Sequence, residues 1–187
     1  MRSVHSEAKT IYNIVFCTIL VGQYFVTNAY ATDLGYRWYT SYATIQSNAS
    51  DYVQYPLNTR DDYHNNTDMT MYIDTDNADI EVVIVSGVSF GGRAIAHSAY
   101  GPCAYYSSGQ LTGNCNTSDK KAAAGTVYIK SGAFPPEQRE WVIRHEIGHI
   151  FGMAHDGSGS CHSVMDEDYC VVSTLQSFDI SLMNSWY

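Results

Sequence analysis

The sequence predicts an α+β fold, and three observations carry that reading. Short apolar, β-branched or alternating runs at Ile80–Val85, Arg93–Ser98 and Thr126–Ile129 read as neighbouring strands of one sheet. Phe134-Pro135-Pro136-Glu137 reads as a helix start, with apolar positions continuing to a glycine at 152. A last apolar stripe, Leu175, Phe178, Leu182 and Met183, reads as a closing helix over Thr174–Asn184.

Taken in order, the first ten residues carry Arg2 and Lys9, Ile11–Val26 is mostly apolar, and Thr27–Ala31 ends in an Ala-x-Ala pattern. This is the layout of a secretory signal peptide over residues 1–31, cleaved after Ala31. An uncleaved anchor is the alternative, but the run is short for a membrane span and is broken by Asn13, Gly22 and Gln23. Residues 32–187 then form one domain, expected to be secreted, monomeric and without stable membrane insertion. They hold eight basic and eighteen acidic residues, a net charge of −10, which argues against a nucleic-acid partner. They also hold four cysteines, an even number suited to an oxidising compartment. Of the three pairings, Cys103 with Cys115 and Cys161 with Cys170 is favoured. Each closes a short loop, worth about 2–3 kcal/mol.

Tyr36–Tyr42 reads as a first strand, and the polar, tyrosine-rich remainder up to Tyr63 gives no clear element. Asp74–Asp79 reads as a solvated acidic turn, because it lacks the glycine and terminal glutamate of a calcium loop. In the helix after Pro135, Glu137 and Glu140 favour the positive end, Trp141, Ile147, Ile150 and Phe151 supply apolar contacts, and Gly152 can stop it in a left-handed conformation.

That helix carries His145-Glu146-Ile147-Gly148-His149. Histidines four apart lie one turn from each other on one face, so both imidazoles can reach a single zinc ion. Glu146, beside the first histidine, can hold a water at the metal and take its proton as general base. Gly152 lets the chain turn so that His155 can return as a third ligand, leaving a fourth position open, as catalytic zinc requires.

The run His145–Asp156 is similar to the long zinc signature of the metzincins, and Ser163-Val164-Met165-Asp166 resembles their Met-turn. Looser likeness to matrixin-type and small bacterial, snapalysin-like metzincins extends from Ala78 to Tyr187, while Asp156 also resembles the adamalysins. The resemblance implies a zincin-like catalytic domain with a twisted mixed sheet, an active-site helix and a C-terminal helix. It implies a secreted zinc endopeptidase that acts on protein or peptide substrates with one catalytic Zn2+. It makes Ala94–Ala99 an antiparallel edge strand that pairs with substrate, and Met165 the hydrophobic floor beneath the metal.

Departures accompany the likeness. No Pro-Arg-Cys-Gly latency motif is present, and Glu167 stands where astacins and serralysins carry a tyrosine. His97 occupies the place of a structural-zinc histidine, but its expected partners are missing, so no second zinc is expected. His162, near the Met-turn, reads as a solvent-facing loop residue. The rival from another class is a secreted binding or toxin-like protein that keeps the zinc for structure, and the intact Glu146 argues against it.

Overall fold

The computed structural model describes residues 34, 36–48, 53–86, 93–100, 103–106, 111–112, 121–159, 161–166 and 172–187. The proposed leader over 1–31, together with Cys115, Glu167 and Cys170, lies outside them. The chain forms β1 (Arg37–Trp38), β2 (Tyr42–Ser47), α1 (Gln54–Asn66), β3 (Thr70–Ile73), β4 (Ile80–Val85), β5 (Ala94–Tyr100), β6 (Cys103–Tyr106), β7 (Leu111–Thr112), β8 (Lys121–Ala122), β9 (Ala124–Lys130), α2 (Pro136–Phe151) and α3 (Ser177–Asn184). Mixed α+β is therefore observed.

Seven strands make one sheet in the order β3-β2-β4-β9-β5-β6-β7, and β1 pairs with β8 apart from it. The β3-β2-β4-β9 part is parallel, and β9-β5, β5-β6 and β6-β7 are antiparallel. This corrects one expectation. Strand β5 is antiparallel, but it is not an edge along its whole length, because His97–Tyr100 pair with Tyr106–Cys103 on one side and His97–Ala99 with Thr126–Ala124 on the other. Among the described residues, the flank of β5 away from β9 stays unpaired only at Ala94–Ala96.

Helix α2 packs against β5, β9 and α1. Ile143, Ile147, Ile150 and Phe151 are fully buried, each worth about 1.5–3 kcal/mol of transfer from water. Strand and helix come so close that a Cβ on Gly125 would stand 2.7 Å from the Ile150 side chain, so only glycine fits that strand position without a shift. Phe151 makes edge-on contacts with Trp38 and Tyr63, at ring-centre distances of 5.9 and 5.2 Å.

Two boundaries differ from the sequence reading. The stretch read as one strand over Tyr36–Tyr42 holds only the short β1 and the first residue of β2, with Tyr39, Thr40 and Ser41 between them. Trp38 is buried in β1, with its indole N–H donating to Tyr42 O. The last helix starts at Ser177 rather than Thr174, behind a capping box in which Gln176 and Asp179 exchange hydrogen bonds. Its buried positions are Asp179 and Met183, whereas Phe178 and Leu182 are only half-buried against the core. Asp74 forms the turn expected of it, its Oδ1 accepting the N–H groups of Asp76 and Asn77.

Helix α1 has no apolar stripe. Its buried residues are Pro56, Thr59, Asp62 and Tyr63, and it docks on α2 through polar groups. Asp62 pairs with Arg144 at 2.6 Å and accepts the Leu175 N–H at 2.7 Å, while the Tyr63 hydroxyl donates to the Arg144 carbonyl. Breaking a buried pair of this kind by removing one partner costs about 3–5 kcal/mol.

Candidate metal centre

Helix α2 begins with Pro136 in its first turn and Glu137 near its positive end, and it stops at Gly152, whose φ is 106°. Both properties of Gly152 matter. The left-handed conformation disfavours other residues, and a Cβ there would lie 2.1 Å from the Tyr36 carbonyl oxygen. The reversal of the chain at this glycine carries His155 back over the helix.

His145, His149 and His155 are brought together, with one ligand atom from each within 4.8 Å of the others. His145 Nδ1 lies 2.8 Å from Val164 O, and His149 Nδ1 lies 2.7 Å from Met153 O. A carbonyl oxygen only accepts, so each Nδ1 carries the proton and each Nε2 presents a lone pair. The two Nε2 atoms are 3.1 Å apart, and the contact joins two acceptors and is no hydrogen bond. A cation satisfies it. Zinc–nitrogen bonds of about 2.0–2.1 Å at a tetrahedral angle give a nitrogen–nitrogen separation of about 3.3 Å. The donor set therefore fits zinc, and the carbonyls on Nδ1 are the outer partners that orient metal-bound histidines.

Burial also keeps the imidazoles neutral. Desolvation pushes the His145 pKa down to about 4, aided by His155 and opposed by the Val164 carbonyl. His149 is likewise held well below its ordinary value, by burial and by the other two histidines. Glu146 is pushed up to about 8 by burial, a shift partly offset by a hydrogen bond from the Ala96 backbone. Among the described residues, its Oε2 has no hydrogen-bond partner. The cleft beside these groups, about 260 Å³, is lined by Ala94, Phe134, Trp141 and Val142 as well as by His145, Glu146 and His155, with Arg93 at one wall.

Met165 lies under the helix. A Cβ on Gly148 would stand 2.5 Å from its sulfur, so the glycine between the two helical histidines makes room for this side chain. Ser163, Val164, Met165 and Asp166 are all buried, and the Asp156 N–H donates to Met165 O at 2.7 Å, tying this turn to the loop that bears His155.

A family model of metallo-peptidase family M12, of the reprolysin kind, matches residues 3–185. The chain belongs to metallo-peptidase family M12. It is a zinc metalloprotease, and the metzincin resemblance stands, with the reprolysin kind as the branch that matches. Comparison with curated proteins returns no match.

For this M12 metallopeptidase, the remaining sequence-derived positions divide as follows. His162 is exposed, as read. His97 sits within β5 between Thr126 and Tyr106 in register. Cys161 has a positive φ of 56°. Cys103 lies on β6. Sequence reasoning missed the carbonyls of Val164 and Met153, the Ala96 N–H on Glu146, and the hydroxyl of Tyr36, which donates to His149 O. Three of these are backbone groups, which leave no mark in residue identity.

Proposed function

We propose that the chain is a secreted endopeptidase that cuts internal peptide bonds of protein or peptide substrates, with one zinc held by His145, His149 and His155. The observation that carries this reading is the convergence of the three histidines beside a buried carboxylate with an unpartnered oxygen. A zinc ion held there supplies Lewis acidity, easing deprotonation of water and polarising the scissile carbonyl. Glu146 holds the attacking water through Oε2, takes its proton as the oxygen adds to the carbonyl carbon, and passes that proton to the amine nitrogen as the C–N bond breaks. The Ala96 N–H orients the carboxylate, and Met165 packs beneath the histidines as an apolar floor without chemical duty.

The same reading includes a leader over 1–31, a catalytic domain over 32–187, and disulfides Cys103–Cys115 and Cys161–Cys170 in a monomer. No described helix is long and apolar enough to cross a membrane.

Glu146→Ala tests the mechanism, because it removes the base and no ligand. Zinc content and folding should persist while peptide hydrolysis falls about 100- to 10,000-fold. Wild-type turnover in the metal-replete variant would refute the assignment. Failure of the wild-type chain to cut any member of a diverse peptide library would favour a binding protein instead.

A further inference from the structure

We propose that Arg93, at the start of β5, is a specificity-determining residue that binds a substrate carboxylate on the leaving side of the scissile bond, so that peptides with Asp or Glu there are preferred. The inference rests on the endopeptidase reading of the cleft and names the substrate class that the cleft takes.

Arg93 is half-buried at the wall of the cleft that holds His145, Glu146 and His155, and it directly precedes Ala94 of β5. Its place is fixed from three directions. The Arg93 carbonyl accepts the Lys130 N–H at 3.0 Å, which ties this backbone to the end of β9. An N–H of Nη2 donates to the Ala133 carbonyl, and the guanidinium carbon stands 4.1 Å from the centre of the Phe134 ring. Phe134 is only 4% exposed, so the ring is a fixed platform, and stacking on an aromatic face leaves the cation its charge. A planar guanidinium held in this way is pre-organised for two-point binding of a carboxylate.

The strand sets the direction. The Ala96 N–H reaches Glu146, which puts the bond to be cut beside Ala96, and Arg93 lies three residues back along β5, about 10 Å at the rise of a strand. Strand β5 pairs antiparallel with both β9 and β6, and among the described residues its flank at Ala94–Ala96 is open. A substrate that continues this antiparallel order runs from Ala96 towards Arg93 with its C-terminal half, the part that leaves as the amine. The carboxylate that meets the guanidinium therefore sits on one of the first few residues after the scissile bond. Phe134, Trp141 and Val142 supply apolar wall around it. Such walls strengthen the attraction of the guanidinium for a carboxylate, and the same charge repels a lysine or arginine in that position. The chain as a whole carries a formal net charge of −9, so its general field repels acidic peptides, and their preference has to come from a local cation.

The test uses the zinc-loaded full chain and a set of peptide amides that differ only in carrying Glu, Gln or Lys at one position after the bond that is cut. kcat/KM is measured for each, and the Glu-to-Gln ratio on one enzyme cancels any change in folding or zinc content. Wild type should favour Glu over Gln about 10- to 100-fold at one such position and disfavour Lys. Arg93→Gln should bring the ratio close to one, and Arg93→Glu should turn the preference towards Lys. Arg93→Lys, which keeps the charge without the fork, should fall between wild type and Arg93→Gln, and it decides the matter if Arg93→Gln fails to fold. A pair with neutral side chains, ending shortly after the bond as free acid or amide, separates the two sources of a carboxylate. An acid-over-amide preference that Arg93→Gln removes would keep the role of Arg93 and assign the group to the chain end. The same peptides are titrated against zinc-loaded Glu146→Ala by fluorescence anisotropy, where the Glu peptide should bind more tightly and lose that advantage when Arg93→Gln is added. Equal rates on the Glu, Gln and Lys peptides in wild type, or a Glu preference undiminished in the Arg93 variants, would overturn the proposal. Cleavage of no peptide at all would instead overturn the endopeptidase reading, and the anisotropy comparison then decides the acid preference by itself.

Discussion

Helix α2 holds two of the three metal-directed histidines, and the loop beyond Gly152 holds the third, and the two regions secure them differently. His145 and His149 are 6% and 0% exposed, and each has its Nδ1 bound by a carbonyl from another segment or turn. His155 is far more open to solvent and depends on the chain reversal at Gly152 for its place. The difference separates two tasks within one centre. The helical pair forms a rigid, pre-oriented base for binding, while the loop ligand closes the site next to the cleft, where solvent and substrate arrive.

The largest effect expected from that contrast is on metal affinity. Structural zinc sites are worth about 10–16 kcal/mol over four ligands, or roughly 3 kcal/mol per ligand and about a hundredfold in affinity. His155→Ala should cost about that much, because water can occupy the vacated position. His149→Ala should cost more, since it also leaves the buried Met153 carbonyl without its donor. Chelator competition on both variants checks the order, and equal losses would break the comparison.

The buried side also carries Glu146, and there the metal-free protein should report its environment through pH. The folded-state pKa of about 8 lies above the ordinary 4.5, so the folded chain favours the protonated acid. Ionisation then costs stability as pH rises from about 4.5 to about 8, on the order of a few kcal/mol. Glu146→Gln cannot ionise. Its stability advantage over wild type, measured by denaturant unfolding without metal, should therefore widen across that window and level off above it, while the histidine contributions cancel in the difference.

The loop side depends on backbone geometry, and two glycines measure how much. Gly152→Ala combines left-handed strain with a clash against Tyr36 O, and should cost roughly 3 kcal/mol and loosen zinc through His155. Gly132→Ala meets no atom within 4 Å and bears only the strain of its φ of 69°. Its expected cost is about 1 kcal/mol with zinc affinity intact. Equal effects on zinc from the two substitutions would show that the chain reversal is not what sets His155.

How much of this was legible beforehand depended on which kind of atom does the work. The α+β class, the span of α2, its stop at Gly152, and the candidates His145, Glu146, His149, His155 and Met165 all stood in the sequence, because side-chain type and spacing on a helix determine which groups share a face. Helix α1 did not, since Asp62 and Tyr63 bury polar groups against Arg144 and Leu175 and so erase the apolar period that marks a helix. The extent of the free edge on β5 was equally hidden, because strand pairing is a property of the partner, here β6, and not of the strand itself. The capping pattern of Gln176 and Asp179 was present as a local signal, but nothing in it said that the same carboxylate would reach Ser163 and Val164. The sequence by itself determined the ligand types and their order. Only the tertiary structure decided which carbonyls fix their tautomers, because those acceptors are backbone atoms delivered by segments distant along the chain.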